Sequence, residues 1–339
     1  MTNRYFKQTL VAEIGEEGQK RLSGASVVVA GCGGLGTVIA NSLVRSGVGK
    51  VTIVDRDFIE LDNLARQVLF DEDDIRKGLP KAIAAAEKLR RINSEIIIKP
   101  VVADLTAENI EQIIKAADIV FDGTDNFETR FLINDACVKL GIPWIYAGVV
   151  ATYGMIFSII PGETPCLKCF ISELPGPGES PTCNTVGVLG TAVNAVASVE
   201  VTEGLKILAG KRESLIRKLM YIDIWQGTWN TFEITKDDKR CPVCDDRQFS
   251  FLERRKAVLL ASLYGQNAVQ ITPPALTGIS FPDLASRLSP HGKVSYNDYM
   301  LGFTIEPYEF IVFHDSRTII KGTTDESEAK ILYAKYIGI

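Results

Sequence analysis

The chain of 339 residues is long enough for one large domain with a small one, or for two mid-sized domains. Hydrophobic residues make up 46% and charged residues 23%, so an ordinary globular core needs no disulfides. The net charge of −5 argues against nucleic-acid or anionic-membrane partners, since both favour a basic face. The polar N-terminus predicts a cytoplasmic protein, whose 7 cysteines are then metal ligands, nucleophiles or core residues.

Apolar strand patterns alternate with helix patterns in the first half of the chain. Strands are predicted at 26–30, 51–54, 96–102, 118–122 and 143–147, with helices at 35–46, 81–91, 107–116 and 126–140 between them. This alternation indicates an α/β fold with a doubly wound, mostly parallel Rossmann-like sheet. The near-continuous apolar strands fit burial on both faces of that sheet.

The pattern changes after residue 150. The sequence predicts a strand at 153–160, a loop at 170–186, a helix at 187–209 and an antiparallel hairpin at 218–224 and 229–235. Further on it predicts a strand at 267–271, a helix at 281–288, strands at 294–305 and 308–321, and a closing helix at 325–336. We therefore expect a large domain at 1–248 and a small α+β module at 249–339, which we interpret as a docking or dimer-stabilising module.

A glycine-rich loop follows the first predicted strand and opens a helix. Its glycines are Gly31, Gly33, Gly34 and Gly36. Such a loop lets the backbone approach phosphates at a helix N-terminus, which favours negative charge. Asp55 ends the next strand, where an acidic residue binds a ribose hydroxyl. The pattern predicts a nucleotide site, and it leaves NAD and ATP as alternatives; no P-loop motif is present.

Two Cys-x-x-Cys motifs lie far apart in the sequence. They are Cys166/Cys169 and Cys241/Cys244. Each pair supplies two corners of a tetrahedral zinc site, and a closed four-thiolate site holds a structural metal. The alternative is a redox dithiol, which two such motifs without a thioredoxin-like pattern disfavour.

Cations and carboxylates cluster at the predicted strand ends and the loops that follow. They are Asp57, Asn63, Arg66, Gln67, Lys81, Asp122, Asp125 and Asn126. Arginine and lysine suit phosphates and aspartate suits Mg²⁺, although Asp125 has the alternative of capping a helix. Both histidines, His291 and His314, lie in the C-terminal module. The large domain therefore lacks the usual general base, which attack by an ionised carboxylate on ATP does not need.

Cys183 lies in the Pro/Gly-rich loop just ahead of a predicted helix. A helix N-terminus lowers the pKa of a thiol, which would suit Cys183 to attack an activated acyl group. A passive, partly buried thiol is the equal alternative. Cys32 and Cys137 are expected to be packing residues.

Taken in order, these motifs resemble those of the ThiF/MoeB/HesA family, bacterial and archaeal relatives of ubiquitin-activating enzymes. The resemblance covers residues 4–245 and includes GCGGLG, DNLARQ, FDGTDNFETRFLIND, CLKC, CNTVGVLG and CPVC. It implies an adenylyltransferase that uses ATP to activate the C-terminal glycine carboxylate of a small ubiquitin-like sulfur-carrier protein ending in Gly-Gly. The products would be an acyl-adenylate and pyrophosphate, ahead of sulfur transfer from an external donor.

The resemblance also implies roles for single residues. The glycines would shape the ATP loop, Asp55 would hold the ribose, and Asp125 would hold Mg²⁺. The phosphate ligands would be Asn63, Arg66 and Lys81, and the paired cysteines would bind Zn²⁺. Cys183 matches a position where some members carry a reactive cysteine.

Members of this family are usually homodimers in which an N-terminal arginine of one subunit reaches the phosphates of the other. That position is Lys7 here, which keeps the charge but loses the bidentate fork; Arg4 is an alternative. Two further readings stay open. The glycine loop and Asp55 would also fit an NAD-dependent oxidoreductase, and Lys7 would fit a catalytically inactive, zinc-stabilised scaffold subunit.

Overall fold

A computed structural model describes residues 4–174, 183–235, 240–253, 259–263, 267–273 and 278–338. The chain divides into two compact units, Met1–Arg254 and Arg255–Ile339. Across the part of the chain that the structure describes, no helix combines the length and the apolar character that a membrane crossing requires.

An eight-stranded sheet forms the centre of the first unit. Its strands are β1 (Ser26–Ala30), β2 (Lys50–Val54), β3 (Ile97–Val101), β4 (Ile119–Asp122), β5 (Trp144–Val150), β6 (Tyr153–Ile159), β7 (Leu219–Asp223) and β8 (Thr228–Phe232). They lie in the order β3-β2-β1-β4-β5-β6-β7-β8. The first five strands are parallel, and β6, β7 and β8 extend the sheet in antiparallel pairs. The predicted α/β fold is confirmed.

Helices cover both faces of this sheet. They are α1 (Phe6–Thr9), α2 (Gly15–Gly24), α3 (Gly34–Arg45), α4 (Glu72–Lys77), α5 (Lys81–Ile92), α6 (Ile110–Ile114), α7 (Phe127–Leu140), α8 (Leu167–Phe170), α9 (Cys183–Val186) and α10 (Gly190–Leu208), with 3-10 helices at Leu61–Ala65 and Arg212–Ser214. Residues of α3, α5 and α10 share one apolar core, and residues of α6 and α7 share the other. Each strand from β1 to β5 therefore contributes to two cores, as its continuous apolar run predicts.

The central helices owe their positions to local sequence signals. Asn126 caps α7 by accepting a 2.8 Å hydrogen bond from the Thr129 N–H, and Gly141 ends the helix at a φ of +71°. Gly204 lets α10 approach the sheet, because a Cβ there would lie 2.2 Å from Cζ of Phe121.

Several predicted boundaries in the first unit are wrong. The helix predicted over 187–209 begins at Gly190, because Val188 forms a β-bridge with Ala151 instead. The loop predicted over 170–186 ends in α9, and residues 175–182 of it lie outside the described residues. The helices α1, α2, α4 and α8 were not predicted; Asp71 caps α4.

The second unit contains a six-stranded antiparallel sheet and two helices. Its elements are β9 (Leu259–Leu263), β10 (Ala268–Thr272), α11 (Phe281–Leu288), β11 (Lys293–Tyr296), β12 (Met300–Ile305), β13 (Tyr308–Phe313), β14 (Thr318–Lys321) and α12 (Glu326–Tyr336), and the strand order is β11-β12-β13-β14-β10-β9. The strands predicted over 294–305 and 308–321 are each two strands. Asn297 forms the first turn by accepting from the N–H groups of Tyr299 and Met300, and Ser316 enters the second at a φ of +68°.

Candidate active site

The glycine-rich loop is folded so tightly that side chains are excluded from it. Gly31 has a φ of +90°, and a Cβ on it would lie 2.5 Å from the carbonyl oxygen of Gly123. A Cβ on Gly36 would lie 2.0 Å from the carbonyl oxygen of Gly31. Gly33 precedes α3 without any side-chain cap, so the first N–H groups of that helix are left for a ligand.

Asp55 follows β2 and faces the glycine loop. Its carboxylate accepts hydrogen bonds from the N–H groups of Cys32 at 2.6 Å and Asp57 at 2.7 Å. Burial raises the pKa of Asp55 to about 6, against the opposing effect of the Lys81 charge. The carboxylate is therefore held by main-chain donors and a distant cation, with no direct ion pair among the described residues.

Lys81 begins α5 and is buried beside two carboxylates. Its Nζ lies 3.4 Å from Oδ2 of Asp57, and its N–H donates to the Asp57 carbonyl at 2.8 Å. Burial lowers the pKa of Lys81, but Asp57, Asp55 and Asp125 raise it more, so its net pKa lies above the usual value. A charged amine is thus fixed between the ends of β2 and β4.

The 3-10 helix Leu61–Ala65 carries the next predicted residues. The Asn63 side chain is engaged in its own cap, with Oδ1 3.2 Å from the Glu60 N–H and Nδ2 2.9 Å from Asp62. Arg66 donates to the Asp62 carbonyl at 2.8 Å, and its Cγ lies 3.8 Å from the position of a Cβ on Gly34. Gln67 is buried, and its Oε1 has no hydrogen-bond partner among the residues described.

The end of β4 carries a buried polar network. The Asp122 carboxylate accepts hydrogen bonds from Arg130 Nε at 2.9 Å and from the N–H and hydroxyl of Thr124 at 3.0 and 2.6 Å. The Asp122 N–H donates to Glu200 at 3.0 Å, and burial raises the pKa of Glu200 well above its usual value. Protein donors surround the Asp122 carboxylate, so its predicted contact with a cofactor stays a prediction that this geometry does not favour.

Asp125 and Asn126 follow this network in the loop before α7. Asp125 is exposed, and its only hydrogen bond among the described residues is a 3.5 Å contact from Asn126 Nδ2. It acts electrostatically on Lys81, Arg130 and Cys183. The structure therefore brings Asp125 together with the lysine and the cysteine, whereas the side-chain oxygen Oδ1 of Asn126 accepts the helix-capping hydrogen bond.

Cys183 begins α9 and is half-buried. Its thiol lies 3.6 Å from the carbonyl oxygen of Val149. Burial and the charge of Asp125 raise the pKa of Cys183, which favours the passive, partly buried thiol over the alternative of a lowered pKa. A single helical turn is too short and too buried here to offset the loss of water.

Main-chain hydrogen bonds attach the segment after Cys183 to the β5–β6 turn. The Ala151 N–H donates to the Gly187 carbonyl at 2.9 Å, and the Leu189 N–H donates to the Ala151 carbonyl at 2.8 Å. Ala151 has a φ of +50°, which costs a non-glycine residue roughly 1 kcal/mol. The attachment therefore holds Ala151 in an unfavourable conformation while it fixes the start of α10.

The structure does not bring Lys7 to these residues. Lys7 is exposed on α1, where its Nζ lies 5.7 Å from the centre of the Phe6 ring. The alternative, Arg4, donates to the Ile92 carbonyl at 3.1 Å and lies 4.0 Å from Glu95. Arg4 is thus occupied, and Lys7 is displayed to the outside.

The four predicted zinc ligands meet in one cluster. Their sulfur atoms all lie within 4.8 Å of one another. The distances are 3.9 Å for Cys166–Cys169, 3.7 Å for Cys166–Cys241 and 3.5 Å for Cys169–Cys244. A tetrahedron with metal–sulfur bonds of about 2.3 Å has edges of about 3.8 Å. The cluster could therefore hold a zinc ion with little movement.

Sequence reasoning missed Arg130, Tyr146 and Glu200. Arg130 is 6% exposed and Glu200 is fully buried. The available signal for Arg130 was a cation directly before the apolar residues 131–133 of a helix. A charge at such a position needs a buried partner. Tyr146 had no signal, because a tyrosine in a strand is ordinary.

Comparison with known proteins decides between the adenylyltransferase and the oxidoreductase readings. Residues 5–243 match the ThiF family. A sulfur carrier protein ThiS adenylyltransferase of Bacillus subtilis is 42% identical over 100% of both chains. A sulfur carrier protein adenylyltransferase of Thermus thermophilus is 37% identical over 72% of this chain and 91% of its own length. The chain belongs to the ThiF family.

A solved structure agrees with this assignment. The crystal structure of E. coli MccB with ATP is 27% identical to this chain, covers 72% of it and 75% of the MccB chain, and has a TM-score of 0.63. The predicted family and the predicted adenylyltransferase class are confirmed. ATP use follows from that class, and the oxidoreductase reading loses its support.

Proposed function

We propose that this protein adenylates the C-terminal carboxylate of a small ubiquitin-like sulfur-carrier protein ending in Gly-Gly, with ATP and Mg²⁺. The proposal rests on the full-length similarity to the ThiS adenylyltransferase of Bacillus subtilis. The site agrees with it, because a glycine loop, a buried lysine and an exposed aspartate meet at the carboxyl ends of β1, β2 and β4.

The nucleotide is bound from the glycine-loop side. Gly31, Gly33, Gly34 and Gly36 keep the loop open to the phosphates, and Asp55 accepts from the ribose hydroxyls. In this proposal Lys81 and Arg66 neutralise the phosphates, and Asp57 keeps Lys81 in place. Asn63 and Gln67 supply polar contacts to the nucleotide.

The reaction needs no general base. An ionised carboxylate oxygen of the carrier attacks the α-phosphorus of ATP, the bond from that phosphorus to the bridging oxygen breaks, and pyrophosphate leaves with both electrons. The site supplies alignment and positive charge. A sulfur nucleophile, either an external donor or Cys183, then displaces AMP from the acyl group.

Two metals belong to the proposal. Asp125 fits Mg²⁺, because its exposed carboxylate is not in an ion pair with any described residue. Mg²⁺ would neutralise the charge on the phosphates when bound. Cys166, Cys169, Cys241 and Cys244 fit a structural Zn²⁺, because their sulfur atoms are already at tetrahedral spacing.

We further propose a cytoplasmic homodimer in which Lys7 of one copy reaches the phosphates of the other. Lys7 is exposed, and the apolar side chains of Phe6, Leu10 and Val11 beside it are 50%, 64% and 48% exposed. They would lie against the second copy. Residues 1–248 carry the activity in this scheme, and residues 249–339 serve docking or dimer stability.

ATP–pyrophosphate exchange tests the proposal. The purified protein is incubated with Mg²⁺, labelled pyrophosphate, and each small Gly-Gly-ending protein of its host. We expect exchange with one of them, and none with the same carrier lacking its last glycine. ATP binding without exchange for every carrier would refute the proposal and leave the inactive-scaffold reading.

A further inference from the structure

Arg130 uses only part of its hydrogen-bonding capacity within the protein. Its Nε donates to Asp122, and its Nη2 donates to the carbonyl oxygens of Thr124 at 2.8 Å and Ala147 at 2.9 Å. The guanidinium carries five N–H donors, and no described residue accepts from Nη1. The Arg130 side chain is 6% exposed, and the two N–H groups of its Nη1 are therefore available to a ligand.

Tyr146 brings a second free donor to the same place. It is 5% exposed, its ring centre lies 5.4 Å from the Arg130 guanidinium, and no described residue hydrogen-bonds its hydroxyl. Burial raises the pKa of Tyr146, so the group stays a phenol at neutral pH and donates. Two largely buried side chains thus each keep an unused donor atom at one spot, Nη1 of Arg130 and the hydroxyl of Tyr146, where a ligand oxygen could accept from both.

Gly148 provides the space that both donors face. A Cβ there would lie 3.4 Å from the Tyr146 hydroxyl, and 3.5 and 3.6 Å from Nη2 and Nη1 of Arg130. Any side chain at position 148 would occupy this space, which we call the Gly148 niche. The niche has room for one small acceptor atom, with donors on two sides.

The β4–α7 loop contacts both the glycine loop and the niche. Gly123 of that loop touches Gly31, and Thr124, the next residue, accepts from Arg130. On the other side, Val149 follows Gly148 and contacts the Cys183 thiol. ATP and the niche therefore flank Asp125, which places the niche where the second substrate of the proposed reaction arrives.

We propose that the Gly148 niche binds a backbone carbonyl oxygen of the last two peptide bonds of the carrier, through the hydroxyl of Tyr146 and Nη1 of Arg130. This inference rests on the proposed function. A neutral carbonyl fits better than the terminal carboxylate, since Asp122 already neutralises Arg130. The carboxylate also needs a free lone pair for its attack. The niche thus selects an extended carrier tail in which no side chain shields the backbone carbonyl groups, as in a tail of glycines.

Two substitutions probe the niche without disturbing the Asp122 ion pair. Tyr146→Phe removes one donor and keeps the ring. Gly148→Ala fills the space at ordinary contact distances, and alanine in a strand is not expected to lower the melting temperature. In pyrophosphate exchange, we expect the KM for the carrier to rise about 3- to 10-fold in Tyr146→Phe and about 10-fold in Gly148→Ala. The KM for ATP and the melting temperature should stay unchanged.

A matched control and a substrate variant make the test specific. Ser23→Ala removes a hydroxyl that donates to the Lys20 carbonyl in α2 and should leave the KM for the carrier unchanged. Semisynthetic carriers with an alkene in place of the last or the penultimate peptide bond lack the carbonyl oxygen. One of these carriers should bind the native enzyme more weakly than the natural carrier does. Its affinity should not fall further when the enzyme carries Tyr146→Phe.

The outcomes separate this inference from the proposed function. If the native enzyme exchanges pyrophosphate while Tyr146→Phe and Gly148→Ala keep the native KM for the carrier, the niche assignment is wrong and the proposed function stands. Additive losses from the alkene carriers and Tyr146→Phe would also overturn it. If the native enzyme exchanges with no carrier, the proposed function fails first, and the niche assignment fails with it.

Discussion

Asp55 and Asp122 are aspartates at the carboxyl ends of β2 and β4, the two parallel strands that flank β1, yet their surroundings differ. Main-chain N–H groups hold Asp55, and the nearest cation, Lys81, contacts Asp57 instead. Asp122 has a direct ion pair with Arg130 and two hydrogen bonds from Thr124. The neighbours, and not the residue type or the topology, decide that Asp55 is available to a ligand and that Asp122 supports the structure.

This difference has a second consequence. Asp122 forms a direct 2.9 Å ion pair with Arg130, so the free Nη1 carries little net charge. Lys81 has the longer 3.4 Å contact with Asp57, and it is the cation that we propose for the phosphates. One strand end therefore provides a cationic site, and the other provides a neutral one. The four predictions below test this contrast, starting with the largest expected effect.

Asp122→Ala should destabilise the protein by about 3–5 kcal/mol, because it leaves the Arg130 charge buried without its partner. Urea denaturation monitored by fluorescence measures the loss. Asp118→Ala is the matched control at the start of β4, where one hydrogen bond from the Ser26 N–H is lost. It should cost about 1 kcal/mol. Equal losses in the two variants would mean that the Asp122–Arg130 pair has no special role.

Lys81→Met should lower the rate of pyrophosphate exchange about 10²- to 10³-fold, because a positioned cation is removed from the phosphates. The rate is measured at saturating ATP and carrier. Lys115→Met, an exposed substitution at the end of α6, should keep the native rate. A Lys81→Met enzyme within tenfold of the native rate would remove Lys81 from the phosphate site.

Asp55→Asn should raise the dissociation constant for ATP about 10- to 100-fold, since a charged acceptor is lost. Its stability at pH 7 should equal or exceed that of the native protein. Ionised Asp55 costs about 3 kcal/mol when its pKa is raised from 3.8 to about 6, and asparagine forfeits about 1 kcal/mol in one hydrogen bond. Calorimetric titration and denaturation measure both. If Asp55→Asn lowered the free energy of unfolding as much as Asp122→Ala does, the two aspartates would not differ in their structural roles.

Acidification gives the smallest effect. A carboxyl whose folded pKa is raised contributes stability that is complete below pH 3.8 and is lost as the pH rises through about 6. ATP binding has the opposite dependence, because it needs ionised Asp55. Between pH 7 and 5.5 we expect the affinity for ATP to fall about 3- to 4-fold more in the native protein than in Asp55→Asn. Parallel curves for the two proteins would mean that Asp55 titrates outside this range.

The sequence predicts the fold where apolar periodicity and chain breakers agree. In the strands SVVVA and KVTIV, every residue after the first is buried. Helix α7 begins after its N-cap Asn126 and ends at its C-cap Gly141. The prediction failed where apolar alternation runs through a turn. Residues 294–305 keep a strand pattern across Asn297, whose side chain closes a hairpin through hydrogen bonds that no periodicity encodes.

The candidate site divides in the same way. Motif residues such as Asp55, Lys81 and Asp125 come together because parallel strands end at one edge of the sheet. Arg130, Glu200 and Tyr146 come from α7, α10 and β5, and only the packed structure brings them to Asp122 and Gly148. The local sequence leaves the two alternatives for the Cys183 thiol open for a related reason, since burial is a property of the fold.

The attachment of Ala151 to Gly187 and Leu189 has an evolutionary consequence. Both of its hydrogen bonds join main-chain atoms, so a substitution of Cys183 changes a side chain without removing either bond. The course of the backbone from the end of β5 to the start of α10 therefore does not depend on the side chain at position 183. A lineage could exchange the cysteine at position 183 for another residue, and later regain it, while the surrounding backbone keeps its course.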